Sequence, residues 1–503
     1  MSGTPEPAGT PSASQSAPAR RIAIDPVTRL EGHGRVEILL DPQGEVERAV
    51  YQVTELRGFE AFCAGRRAED MPQITSRICG VCPMAHHLAS TKALDELYSV
   101  QPPPAAVRVR ELVYHAFLLD DHALHVYFLG GPDLFVGPDA PPERRTIAGV
   151  TEALGEDAVR TMMAVRARLR GMVSAIAGRA VHPVLGLPGG VAKGVEPAAL
   201  PEFREIAAEG MELATATLER VREATLRDGW LNAEIESGAG VLRTYYMGLV
   251  DAQNRPSFCD GVLRVVGPDG TETGRFAGHA YQGWIGERTE PWTYARLCYL
   301  KPVGWSGLTD GPGSGIYAVG PLARLNVADS MATPLAQRAL EEFRLALGPP
   351  PVHHTMAHHW ARAIEMVYAA ERLTELLHHP EIASAELRRL PTRAPASGVG
   401  VVEAPRGTLL HRYETDEEGL LREVDLIAGT QHNAARIAMS VEQTARRLIR
   451  GGHADEGLLS RIEMAFRAYD PCNACASHAS AGGPPVVVRL QNAEGRLARK
   501  LQR

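Results

Sequence analysis

Two Cys-x-x-Cys pairs at opposite ends of the chain constrain this sequence more than any other feature. The first is Cys79-Gly-Val-Cys82; the second, Cys472-Asn-Ala-Cys475, follows about 390 residues later. Such a turn lets two thiolates chelate one metal ion. If both pairs serve one ion, the fold must bring the two ends of a 503-residue chain together. Spacing alone leaves four readings open. A structural four-cysteine zinc site usually closes over roughly 15–20 residues, which the long gap disfavours. A thioredoxin-like redox pair needs a strand–helix–strand setting and leaves the other pair unexplained. Unrelated buried cysteines are a third reading. A four-thiolate site for a redox-active transition metal accounts for both pairs, because soft thiolates favour such ions.

Composition removes other classes. Hydrophobic residues make up 45% and charged residues 22%, ordinary globular values that exclude a disordered or collagen-like chain. The length fits two or three domains or one large multi-layer core. Seven cysteines are too few for a disulfide scaffold. The net charge is −7 and the Lys and Arg residues are dispersed, so nucleic acid is not an expected partner. No apolar run approaches the roughly 18 residues of a membrane span. The N-terminus lacks the apolar core of a secretory signal, so the expected compartment is the cytoplasm.

Residues 1–20 are mostly Pro, Ser, Ala, Gly and Thr, which predicts a disordered tail. Strands are predicted at 21–27, 34–40 and 46–56, with a turn at 41–45. Helical periodicity begins near 104 and runs to 131 through Val107, Leu112, Phe117, Leu118 and Leu124. Further helices are predicted at about 155–178, 201–227, 335–347, 355–378, 431–450 and 455–468, and a hairpin at 261–276. The glycine-rich stretch 310–320 reads as a loop without a phosphate-cradling motif. The fold class is α+β, predominantly helical, with small antiparallel sheets at the edges. A strand, a turn and a second strand or short helix follow the linker after Cys475 and look appended. His353, His354, His358 and His359 read as a polar helix face or subunit contact, since no carboxylate or cysteine accompanies them. Cys298 reads as a buried hydrophobe.

The flanks narrow the four readings. The first pair lies in Arg77-Ile-Cys79-Gly-Val-Cys82-Pro-Met-Ala-His86-His87, the second in Asp470-Pro471-Cys472-Asn-Ala-Cys475-Ala-Ser-His478. Together they resemble RxCGxCxxxH and DPCxxCxxH, the signatures of the nickel–iron hydrogenase large subunit. The likeness extends to DPVTRLEGHGRVE (25–37), RGFE (57–60), HALHVYFL (122–129), VGPLARLNV (319–327) and EAPRGTLLH (403–411). Only residues 1–20 fall outside it. It implies a central helix bundle with small peripheral antiparallel sheets, a catalytic domain over 21–478, and an extension at 479–503.

The resemblance also implies a chemistry. Nickel would be held by four thiolates, Cys79 and Cys472 as terminal ligands and Cys82 and Cys475 as bridges to an iron carrying two cyanides and one carbon monoxide. The reaction class is H₂ ⇌ 2 H⁺ + 2 e⁻, whose heterolytic form needs a hydride acceptor and a base. Cys472 resembles the thiolate that accepts the proton, and Glu31 the carboxylate that takes it onward. Outside the motif, Glu31 reads as a turn or cap carboxylate. Arg406 resembles the guanidinium overhanging the site, a planar donor suited to a cyanide nitrogen. Pro405 packs beside it, Thr430 matches a hydroxyl donor to the second cyanide, and Asp121 and Asp470 match the carboxylates that fix the arginine. Asp120 is expected on a solvated helix face. A second ion, magnesium or iron, is implied at Glu60, the Leu426 carbonyl and His478. His86 matches the histidine placed toward an iron–sulfur cluster of the small subunit.

The chain has no nucleotide motif and no cysteines for further clusters. The implied partners are therefore a small subunit carrying iron–sulfur clusters, and a flavin-containing diaphorase passing electrons to NAD(P). The segments most resemble the cytoplasmic, bidirectional, NAD-linked subgroup. Asp120-Asp121 before His122 and His125 is closer to the membrane-bound uptake enzymes, and Asn473 stands where Leu or Ile is commoner. Quinone-reductase subunits of similar fold lack the four cysteines. Hydrogen sensors of the family end at the last histidine, whereas 25 residues follow His478 here. In the family a dedicated endopeptidase removes such an extension.

Overall fold

The computed structural model describes residues 20–227, 229–478, 487–491 and 497–502. Apart from Arg20, the expected N-terminal tail lies outside them, as does the linker after His478. The extension contributes two described strands, Val487–Gln491 and Leu497–Gln502, paired antiparallel.

Long amphipathic helices form the centre. Ala357–His378 packs against Leu200–Leu226, Pro104–Leu124 and Pro334–Leu347, and Glu156–Ala177 lies across the outer pair. The central helix is buried on nearly every side, so its residues Trp360, Ile364, Val367 and Leu373 face neighbours all round. Pro104 opens its helix at a position where a missing N–H costs nothing. That helix is shorter than expected: after Leu124 the backbone widens into a π-turn at His125–Leu129 and a second at Pro132–Val136. Single π-turns concentrate at functional sites, and His125 faces the candidate centre. One apolar core joins the bundle to all four motif cysteines.

The sheets lie around this bundle. Arg20–Ile24, Gly34–Leu40 and Val46–Val53 form an antiparallel meander. Val36, Ile38 and Leu40 are buried, while Glu37 and Leu39 are half-buried, the alternation the sequence shows. The expected hairpin is Val262–Val266 with Glu272–Phe276. It belongs to a four-stranded sheet in which Tyr317–Ala318 runs parallel to Tyr245–Val250. The strand Tyr317–Ala318 falls inside the stretch expected to be a loop.

Two elements that hold the site were not anticipated. The first is the helix Pro83–Leu97, capped by Cys82 and buried on most faces, so its sequence carries little amphipathic signal. The second is the sheet Ser397–Ala404, Gly407–Thr415, Leu421–Ile427, whose first two strands are mostly buried on both sides. The helix lies flat on its first strand. Gly398 and Gly400 permit this, because a Cβ on either would clash with backbone atoms of Ala93 or Ala89.

Two expectations need correction. His354, His358 and His359 do not form a polar outer face: all three are buried, His354 with its Nε2 on the Glu234 carbonyl. His358 packs on Tyr469 and His359 stacks on His125. Asp120 is not solvated either; it is largely buried and accepts a hydrogen bond from Arg166 Nε at 2.8 Å.

Candidate metal centre

The two ends of the chain are zipped together at the second motif. Glu31 and Cys472 form a parallel bridge; the Glu31 N–H donates to Pro471 O, and the Asn473 N–H donates to Glu31 O at 2.9 Å. Gly32 takes φ +81°, and a Cβ there would meet the Ala474 nitrogen at 2.7 Å, so the approach requires glycine. Asn473 completes the join: its Oδ1 accepts from the Tyr51 hydroxyl at 2.9 Å and its Nδ2 donates to His33 O at 3.2 Å. The sequence departure at 473 is thus a structural tie between motif and meander.

This closure gathers Cys79, Cys82, Cys472 and Cys475, with sulfurs within 4.8 Å of one another and all buried. Cys79 Sγ lies 3.4 Å from Cys472 Sγ, and Cys82 Sγ lies 3.3 Å from Cys475 Sγ. Cys79 Sγ accepts N–H bonds from Val81 and Cys82 at 3.2 Å each. Burial raises its pKa, but hydrogen bonds from the other three thiols and the charge of Arg406 outweigh this and bring it well below the ordinary thiol value. Burial and the neighbouring thiols push Cys472 well above it, and burial raises Cys475 likewise despite its bond with Cys472. Four thiolates cannot coexist here without cations, and a buried soft donor set with that need suits a transition metal. A small cavity opens beside the sulfurs. Ala404, Leu409 and Ala428 supply an apolar wall, and Arg406 and Thr430 supply donors. That lining fits small uncharged or anionic diatomic ligands.

Arg406 occupies the two-residue turn Pro405–Arg406 between strands whose ends pair Ala404 with Gly407. The turn is clamped between Gly320 and Gly429, where added Cβ atoms would press on the Arg406 backbone. Arg406 Nη1 donates to Asp121 at 3.2 Å and Nη2 to Asp470 at 3.1 Å, all three buried. Burial raises the Asp121 carboxyl to about 7 despite the guanidinium. Burial acts the same way on Asp470, but Arg406 and His125 prevail and hold it far below the carboxylate range. Asp470 sits in the left-handed region at φ +57°, a conformation that costs roughly 1–3 kcal/mol, and its carboxylate meets Arg406 and His125.

Glu31 Oε2 accepts from the Cys472 thiol at 2.9 Å and from the Ala474 N–H at 3.3 Å. Burial raises its pKa, with the negative charge at Cys79 adding to the effect. Thr430 Oγ1 accepts from the Cys472 N–H at 2.8 Å, which leaves its own hydrogen free for a ligand. Behind the turn stand Arg324, Glu365 and Glu403, which sequence reasoning did not single out. Arg324 donates to both carboxylates and to the carbonyls of Ala404 and Pro405. The only sequence signal for Arg324 and Glu403 was charge inside VGPLARLNV and EAPRG; Glu365 lies in neither segment.

A second cluster sits below the first. Glu60 Oε1 accepts from the Leu426 N–H at 3.1 Å, and the Glu60 N–H donates to His478 O at 3.3 Å. Burial pushes Glu60 up to about 7. His478 is buried with neither ring nitrogen hydrogen-bonded. A carboxylate short of a cation beside an unpaired imidazole fits a divalent ion. His86 points at the first cluster, its Nε2 3.3 Å from Cys475 Sγ. Cys63, Cys259 and Cys298 are buried elsewhere.

The family profile described as nickel-dependent hydrogenase matches residues 57–175 and 314–478, and one described as HoxL-like matches 21–56. The iron-sulfur subunit of the F420-non-reducing hydrogenase of Archaeoglobus profundus is 40% identical, covering 96% of this chain and 99% of its own. The chain belongs to the nickel-dependent hydrogenase large-subunit family. The beta subunit of the NAD-reducing hydrogenase HoxS of Cupriavidus necator is also similar, at 36% identity over 95% of this chain and 99% of its own. Among solved structures, an NAD⁺-reducing [NiFe]-hydrogenase in the H₂-reduced state superposes with TM-score 0.86 at 36% identity, covering 91% of this chain and 99% of the other. The protein is thus a hydrogenase subunit of largely helical fold with small sheets, and its four buried cysteines form a group that could hold a metal ion. No helix among the described residues is long and apolar enough to cross a membrane.

Proposed function

We propose that this chain is the catalytic subunit of a cytoplasmic enzyme that interconverts H₂ with protons and electrons, and that Glu31 is its proton acceptor. The observation that carries the reading is the 2.9 Å contact from Cys472 Sγ to Glu31 Oε2 beneath Arg406. When bound, a nickel–iron centre with cyanide and carbon monoxide on iron supplies the polarisation that splits H₂ and takes up its electrons. Cys79 and Cys472 would hold nickel, and Cys82 and Cys475 would serve both metals, as soft thiolate donors. Cys472 receives the proton and passes it to Glu31, whose raised pKa brings it nearer to that of a thiol and so eases the transfer. Arg406, fixed by Asp121 and Asp470 with Pro405 beside it, would offer its N–H groups to one cyanide, and Thr430 its hydroxyl to the other. Glu60, the Leu426 carbonyl and His478 would hold magnesium or iron.

No other cysteine-based metal group occurs among the described residues, so electrons leave through an iron–sulfur small subunit. We assign a flavin-containing diaphorase and NAD(P) beyond it, in line with the NAD-reducing relative. A second reading, a different terminal acceptor, is favoured by the higher identity to the F420-non-reducing relative. The extension after His478 is removed by an endopeptidase once nickel is in place. Its removal frees the His478 carboxylate beside Glu60.

The test is elemental analysis and intact mass on active complex purified from its native host. About one nickel per chain is expected from a single four-thiolate site. The subunit should be about 2.7 kDa lighter than the full chain, at about 110 Da for each of the 25 residues after His478. Zinc without nickel in a sample that oxidises hydrogen overturns the metal assignment. Full-length mass in nickel-loaded, turning-over enzyme overturns the cleavage.

A further inference from the structure

One turn of the central helix is tied to all three segments that carry Arg406, Asp121 and Asp470. Glu365 lies on Ala357–His378 and is fully buried with Arg324, Glu403 and His122. Arg324 Nε donates to Glu365 Oε1 and Arg324 Nη2 to Glu365 Oε2, each at 2.6 Å. Nη2 also donates to the Pro405 carbonyl at 3.2 Å, and Nη1 donates to Glu403 Oε2 at 2.7 Å and to the Ala404 carbonyl at 3.0 Å. Every N–H of the guanidinium is thereby used. The same Glu365 Oε2 lies 2.9 Å from His122 Nε2, and His122 follows Asp121 on Pro104–Leu124. One turn before Glu365, Arg362 donates to the carbonyl of Ala468, close in the chain to Asp470, at 3.1 Å.

These bonds leave little freedom. An arginine fork on both oxygens makes Glu365 a carboxylate, which only accepts, so His122 donates from Nε2. Glu365 Oε2 thus receives two N–H groups. One comes from the helix that carries Asp121, the other from the guanidinium that grips the Pro405–Arg406 turn. Glu403 turns its second oxygen elsewhere, to the Thr408 hydroxyl at 2.7 Å and the Leu249 N–H at 3.0 Å. Glu365 is therefore the carboxylate that the two sides share. The 3.2 Å contact from Arg406 to Asp121 spans two segments that are both referred to one acceptor atom.

We propose that Glu365 is a positioning residue for Arg406: it fixes the guanidinium against Asp121 by holding the turn through Arg324 and the Asp121 helix through His122. A buried polar network in which every member is bonded rigidifies one arrangement. The proposal rests on Arg406 as the donor to a cyanide, the reading given above. Glu365→Gln keeps the shape but exchanges one acceptor oxygen for an N–H₂ group. Whichever way the amide turns, one N–H of Arg324 then faces another N–H. The fork opens, and the turn loses its fixed distance from Asp121.

The test is infrared spectroscopy of the complex with Glu365→Gln, at equal nickel content and redox state. A purely structural role lowers melting temperature and yield but leaves each loaded site native. Positioning instead moves the cyanide bands away from those of the unsubstituted enzyme. It also lowers turnover per nickel roughly 10²-fold, the cost of about 1 Å of misplacement. Coincident cyanide bands or unchanged turnover per nickel overturn the proposal. His122 tests the other arm without touching Arg324. His122→Leu should move the cyanide bands, and His122→Gln, which can still donate to Glu365, should return them. Bands alike in the two His122 variants overturn the proposal. So does loss of nickel from both Glu365→Gln and His122→Leu, which would make the network a requirement of assembly. Unsubstituted enzyme without any cyanide band overturns the metal assignment itself, a failure visible before any variant is made.

Discussion

Glu31 and Arg406 face the same four sulfurs but answer to different physics. Glu31 is a base at hydrogen-bond distance from a thiol. Glu31→Gln keeps the shape and the bond from Ala474 but removes the proton acceptor. We expect full nickel content and H₂ oxidation lowered ~10²–10⁴-fold, the usual range for losing a positioned proton-transfer group. Normal turnover in that variant excludes Glu31 from the path, and loss of nickel makes it structural. Arg406 is instead a planar fork spanning two carboxylates. Arg406→Lys retains the charge but reaches only one of them. The expected outcome is a metal-loaded enzyme with little activity, read by nickel content against turnover. Loading and turnover both unchanged would show that charge alone suffices.

At the scale of elements, the site depends on how closely a helix and a strand approach. Pro83–Leu97 carries Cys82 at its cap and His86 in its first turn, and its position is set where Gly398 and Gly400 meet its backbone. Gly400→Ala puts a methyl group against the Ala89 carbonyl, where no flexible side chain can yield. Overpacking of this kind costs about 1–3 kcal/mol, but here it also lifts two site residues away from Cys475. The expected result is a modest fall in melting temperature with a disproportionate loss of nickel. Full nickel content in a destabilised variant would mean that the helix shifts without carrying the site. The amphipathic helices between 155 and 227 were legible in sequence because each has one wet face. The helix at 83–97 and the strands at 397–415 were not, because elements covered on both sides lose the periodicity that marks a boundary with solvent.

For the whole molecule, the number of buried neutral histidines sets the response to acid. Burial lowers His115 and His432 to about 3 and His87 and His122 to about 4. The unfolded chain titrates near 6.5. A depressed folded pKa means that the unfolded state binds protons first as pH falls. The stability these groups contribute is therefore intact above about 6.5 and is lost progressively down to the folded values near 3–4. Melting temperature should be flat between pH 7 and 8 and fall steadily below about 6.5. His115→Gln, which can still donate to the Glu111 carbonyl as His115 Nδ1 does at 2.8 Å, should flatten that acid limb. An acid limb identical to that of the unsubstituted chain would remove His115 from the account.

The chemistry is written locally: two soft chelating pairs, their flanks, and the family those flanks resemble. Residue type and short spacing are local properties, and a Cys-x-x-Cys turn or a Glu-Gly-His-Gly segment carries them wherever the chain runs. Which distant groups meet is settled by packing instead. Asn473 reads as a departure from pattern until it is found tying the second motif to Tyr51 and His33. His358 and His359 read as a wet face until the bundle closes over them. Arg324 is one charge among many until it stands behind the turn that presents Arg406. His411 and Tyr413 lie more than 300 residues from His86 and Ser90, and nothing near them in sequence marks the contact. Such pairings depend on where the chain returns after several hundred residues, and the packing of the bundle, not local propensity, sets that return.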